Sequence, residues 1–145
     1  MRAFLIVDDC QSDQKILAYI LNDIQPETKV YSFRSGTRLH DWISEHRSSL
    51  TDHDLTIFCD QHLKPEFGND VLEEVRTRFP EIEFFSILMS GSQLRRMKSY
   101  DEGWAHEIIE KKGDLEHYWN IIRMCLSRSH TFFSRNKSQQ ILYGT

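Results

Sequence analysis

Cysteine is scarce in this sequence: Cys10, Cys59 and Cys125 stand apart, with no CxxC spacing. So sparse and odd a set argues against a disulfide framework and for reduced thiols in a cytoplasmic protein. Long apolar runs are missing too. No stretch approaches the roughly 18 residues that span a bilayer. The run Ala3 to Val7 is too short for a signal-peptide core and ends in two aspartates. Positive charge is not in excess. The formal net charge is -4, which leaves no basic face to displace counterions from nucleic acid. Glycine is thin, and neither type of Gly-rich phosphate loop is present. The seven histidines include none with a nucleophile and base in a triad pattern. There is no internal repeat, low-complexity block or linker between two domains.

What is present is an alternation. The chain has 145 residues, 39% of them hydrophobic, enough for one domain with a proper core. Short apolar runs occur at Ala3–Val7, Val30–Phe33, Leu55–Cys59, Phe84–Met89 and Glu107–Ile109. Between and after them lie segments of helical periodicity. The first covers Asp13 to Ile24, with Ile16, Leu17, Ile20, Leu21 and Ile24 on one stripe. A second runs from Gly36 to His46, and a third from Asn69 to Phe79, where Pro80 stops it. A fourth, weaker one carries Leu94, Met97 and Tyr100, and a fifth opens at Asp114, a good N-cap. Five β-α units with continuous apolar strands predict an α/β fold, a doubly wound parallel sheet with helices on both faces. Its ligand site should lie at the carboxyl ends of the strands.

The residues at those ends carry the chemistry. The first strand runs into Asp8-Asp9, the third into Asp60, the fourth into Ser90-Gly91 and the fifth into Lys111. Two like charges ~4 Å apart repel by about 1 kcal/mol in water and about 4 kcal/mol at a protein's effective dielectric. A hard divalent cation removes that penalty. Mg²⁺ takes carboxylate oxygens and waters and leaves positions open for a phosphoryl oxygen. Lysine adds a compact cation and serine a hydrogen-bond donor. Charge neutralisation, positioning and an oxygen nucleophile are what phosphoryl transfer requires.

These stretches resemble the response-regulator receiver family. Leu5-Ile6-Val7-Asp8-Asp9 is similar to its acidic opening, and Leu55 to Asp60 to its phosphoacceptor strand, with Gly68 eight residues on. Ser90-Gly91 matches the small hydroxyl residue and its small neighbour, and Glu107 to Lys111 the lysine strand. The resemblance covers residues 2 to 128. It implies a flavodoxin-like five-stranded sheet in the order 2-1-3-4-5 with five helices. It also implies that Asp60 is the phosphoacceptor, that Asp9 and Asp60 bind Mg²⁺ directly with the backbone carbonyl of His62, and that Asp8 acts mainly through water. Lys111 would pair with the phosphoryl group and Ser90 would turn toward it. A sensor histidine kinase or a histidine phosphotransfer protein would be the donor, and a downstream protein the target. The domain would catalyse its own phosphorylation and dephosphorylation without being a turnover enzyme, and could form a homodimer through its fourth and fifth helices. Residues 1–128 would be the receiver domain, and 129–145 a tail, helical or flexible, too short for an output domain.

The sequence departs from the family pattern at Cys10, where many relatives have Glu, and at Lys64 and Lys112, where proline is common. Ile108 stands at a position often held by a switching Tyr or Phe, and an aliphatic side chain cannot signal by swinging a ring. These departures motivate an alternative, a receiver-like interaction module that works without phosphorylation. A small hydrolase using Asp60 as nucleophile is a third reading, disfavoured because no cap or substrate domain is present.

Overall fold

The structure is a computed structural model describing residues 2–91, 104–111 and 114–143, with side chains described to 138. The five apolar runs form strands β1 (Arg2–Val7), β2 (Lys29–Phe33), β3 (Asp54–Asp60), β4 (Phe84–Ser90) and β5 (Glu107–Glu110). They make one sheet in the order β2-β1-β3-β4-β5, with all neighbours parallel. This is the flavodoxin-like arrangement that the resemblance implies. Every residue of β3 and β4 is buried, and all of β1 but Arg2. The edge strands β2 and β5 are only partly covered. The central strands therefore read as unbroken apolar runs because helices cover both their faces.

Four helices are described: α1 (Gln11–Ile24), α2 (Gly36–Leu50), α3 (Gly68–Arg78) and α4 (Leu115–Tyr143). The segment expected as a further helix around Leu94, Met97 and Tyr100 lies outside the described residues. Helix α3 ends where the sequence predicts. The Phe79 amide donates to the Val75 carbonyl, and Pro80 has no N–H with which to continue the ladder. Helix α2 runs four residues past His46 to Leu50, whose side chain is 4% exposed and gives the extra turn an apolar anchor.

Side chains alternate across the sheet with period two, which sorts the core into two layers. Leu5, Val7, Leu55, Ile57 and Cys59 pack with Leu39, Ile43, Val71, Leu72 and Val75 of α2 and α3. Phe4, Ile6, Phe58, Ile87 and Met89 pack with Leu17, Ile20, Leu21, Ile122 and Leu126 of α1 and α4. Burying an aliphatic or aromatic side chain of this size stabilises the fold by about 1.5–3 kcal/mol. The two layers fix the sheet, and the sheet fixes the positions of its strand ends.

Helix α4 is the longest element, 29 residues, or about 43 Å at the α-helical rise. Asp114 starts it, its Oδ1 accepting from the His117 amide at 2.8 Å. The helix then crosses the whole sheet to the amino ends of the strands. There Lys137 Nζ lies 2.9 Å from Asp54 Oδ2, Asn136 donates to Glu83, and His130 contacts Arg2. The buried hydroxyls of Ser129 and Thr56 satisfy each other at 2.6 Å, as buried polar groups must. Phe133, 3% exposed, closes the apolar layer under α1 and α4. Phe133→Ala should therefore lower unfolding free energy by about 3 kcal/mol, the cost of a cavity at a buried aromatic. Urea denaturation checks this, with a lowered midpoint at unchanged slope as the expected result.

Candidate functional site

The parallel ladders carry on for one residue past several strand ends and so align the side chains beyond them. The Asp8 amide donates to the Phe33 carbonyl (3.0 Å), the Gln61 amide to Met89 (2.8 Å) and the Lys111 amide to Ser90 (2.8 Å). Asp8, Asp60 and Lys111, as many as 103 residues apart in the chain, are thereby held at one edge of the sheet. One carboxylate oxygen from each of Asp8, Asp9 and Asp60 lies within 4.8 Å of the others. Asp8 and Asp60 are buried, while Asp9 is exposed and opens the cluster to solvent.

The only cation paired with this cluster among the described residues is Lys111. Its Nζ is 2.8 Å from Asp8 Oδ2, 3.2 Å from Asp13 Oδ2 and 3.4 Å from Asp60 Oδ1. The ammonium is largely buried, which by itself would favour its neutral form. Its hydrogen bond to Asp8 and the charges of Asp60, Asp8 and Asp13 more than offset that, and its pKa rises above the ordinary lysine value. Asp60 is pushed up from the usual carboxylate value, chiefly by burial and further by Asp8 and Asp9. Lys111 pulls the other way but does not cancel the shift. The cluster sets three carboxylates against one lysine. Three hard oxygen donors this close fit a divalent ion such as Mg²⁺.

The other expected site residues fall around this centre. Ser90 ends β4, one residue after Met89, the register partner of Asp60, and is fully buried. His62 lies in the loop leaving Asp60, where it forms an antiparallel bridge to Phe67. That loop returns tightly. The Gly68 amide donates to the Gln61 carbonyl at 2.8 Å, and a Cβ on Gly68 would sit 2.2 Å from the Asp60 carbonyl oxygen. Only glycine allows α3 to begin so close to the end of β3.

No protein-family model matches the chain, and no curated protein matches it. Solved structures do. The signal receiver domain of an HD domain-containing protein from Pseudomonas fluorescens Pf-5 superposes with a TM-score of 0.68 at 18% identity, covering 92% of this chain and 93% of that one. A CheY-like response regulator receiver domain from Methylobacillus flagellatus gives 0.63 at 21% identity, covering 86% and 98%. NtrX from Brucella abortus gives 0.71 at 19% identity, covering 97% of this chain and 31% of that one. This chain has the receiver-domain fold.

Within the receiver fold, sequence reasoning missed two neighbours of the site. Gln14, on α1, is 8% exposed, and its side-chain amide donates to the carbonyls of Asp8 (2.6 Å) and Phe33 (3.1 Å). It shares a face with Leu17 and Leu21, so a glutamine on an apolar stripe was the available signal. Asp13 is the other, and its pairing with Lys111 leaves no local trace in the sequence.

The raised pKa of Asp60 has a consequence for stability. Between the unfolded carboxyl value and the higher native one, the native state binds more protons than the unfolded state. Stability attributable to Asp60 therefore falls as pH rises through that window and stays lower above it. Asp60→Asn should raise the thermal midpoint of the metal-free protein at pH 7, and the advantage should shrink below the ordinary carboxyl range. Lys111→Met should do the reverse, costing about 3 kcal/mol by leaving buried carboxylates without their cation. Melting curves of both variants across pH 3–8, without metal, check the two signs.

Proposed function

We propose that this chain is a phosphoacceptor receiver domain in two-component or phosphorelay signalling. The observation that carries the reading is Lys111, whose ammonium reaches both Asp8 and Asp60 at a sheet edge that also holds Asp9. In the reaction, an Asp60 carboxylate oxygen attacks phosphorus and an O–P bond forms. The P–N bond to the donor histidine breaks, and the imidazole nitrogen keeps the electron pair. Lys111 offsets charge on the phosphoryl oxygens, and Ser90 donates a hydrogen bond to them. Asp9, Asp60 and the carbonyl of His62 would hold Mg²⁺, with Asp8 acting mainly through water, and the ion would supply the remaining charge neutralisation. Hydrolysis of the aspartyl phosphate resets the switch, so the domain is a signalling device rather than a turnover enzyme.

The donor in this reading is a sensor histidine kinase or a histidine phosphotransfer protein. The output is a change in binding to a downstream protein, and the domain works in the cytoplasm. No described helix is long and apolar enough to cross a membrane. The packing of Ile108 favours a second reading of the output. It is partly buried against the apolar layer beneath α2 and α3, where it cannot swing as a ring does, and this suits an interaction module insensitive to phosphorylation. Equal partner affinity with and without Mg²⁺ and a phosphoryl mimic would favour that alternative.

The test of the main reading is direct. Incubation with Mg²⁺ and a small phosphodonor such as acetyl phosphate should add one phosphate to the wild-type mass. Asp60→Asn should abolish the addition, and chelating the metal should suppress it. A wild-type mass that never changes would sink the proposal.

A further inference from the structure

Lys111 is engaged by one acid more than the proposed chemistry uses. Asp13 belongs neither to the carboxylates that could share an ion nor to the residues given a role above, yet its Oδ2 lies 3.2 Å from the ammonium. We infer that Asp13 is a positioning residue whose carboxylate competes for Lys111 with any group added to Asp60, and so opposes the modified state. The inference rests on the proposed receiver function.

The argument is one of donors and acceptors. A lysine ammonium has three protons, and the oxygens of Asp8, Asp13 and Asp60 already surround this one. A phosphoryl group on Asp60 takes over the contact that Asp60 holds but brings more than one anionic oxygen, and Lys111 can serve a second of them only by releasing Asp8 or Asp13. Asp8 is poorly placed to yield. Its side chain is 2% exposed, its Oδ1 accepts from the Cys10 amide at 2.9 Å, and its carbonyl is held by Gln14. The Asp13 side chain is 44% exposed. It lines an open cleft of about 280 Å³ with Ile16, Asp114, Leu115 and Tyr118, so its carboxylate can turn into water. Asp13 also sits in the first turn of α1, where the helix dipole favours an acid. That fact alone would give it a role in stability only. The contact with a lysine 98 residues away gives it a role in the site.

Beryllofluoride reads this competition at equilibrium. An Asp60 oxygen donates a lone pair to beryllium and displaces a water, with no change of oxidation state, and the fluorines present themselves to Lys111 as phosphoryl oxygens would. Calorimetry at saturating Mg²⁺ should find that Asp13→Asn binds beryllofluoride about threefold to fivefold more tightly than wild type, the range of a partly exposed ion pair. Asp13→Glu, which keeps the charge, should stay near wild type. Asp114→Asn removes a charge from the same cleft but keeps a competent N-cap, and it too should stay near wild type. Unchanged affinity in Asp13→Asn would overturn the inference, and so would equal tightening in Asp13→Glu or in Asp114→Asn. If wild type binds no beryllofluoride, the receiver site itself is wrong and this inference falls with it.

Discussion

The ammonium of Lys111, lying between carboxylates that would otherwise repel one another, is the contact on which the site depends. Asp8 and Asp60 are buried, where isolated charges are costly and a partner is needed. One lysine faces three carboxylates, and burial keeps the Asp60 pKa above the ordinary carboxylate value despite the cation beside it. That shortage of positive charge suits a divalent ion such as Mg²⁺. The same shortage makes the competition for Lys111 between Asp13 and an added group consequential.

That contact exists because the sheet delivers it. Asp8 and Lys111 follow the ends of β1 and β5 and Asp60 closes β3, and the one-residue continuation of the ladders aligns the three. The register rests on the two apolar layers, because slipping a strand by one residue would swap its side chains between the layers and undo the packing of both. Gly68 contributes at closer range, letting the chain turn back against the Asp60 carbonyl. Stability and site geometry thus share the same residues. An exception is α4, whose second half ties the amino ends of the strands through Ser129, Phe133 and Lys137, across the sheet from the carboxylates.

Much of the fold was legible in the sequence because parallel strands covered on both faces leave unbroken apolar runs. Each of the five expected runs is a strand, with ends shifted by a residue at most. The acidic pair, Asp60 and Lys111 were legible because each follows or closes such a run. Ionic partners contributed by helices were harder to read. Asp13 looks like an ordinary acid in a first helical turn, and only the approach of α1 to the end of β5 gives it a partner.

The sequence alone determined the α/β class and which side chains would stand at the strand ends, since both follow from local periodicity and chain order. The order of strands across the sheet follows from the family resemblance and not from periodicity. The acids that share Lys111 and the path of α4 to the amino ends of the strands were decided only by tertiary structure. They depend on which surfaces meet, and pairings between segments as distant as Asp8 and Lys111 leave no periodic signature along the chain.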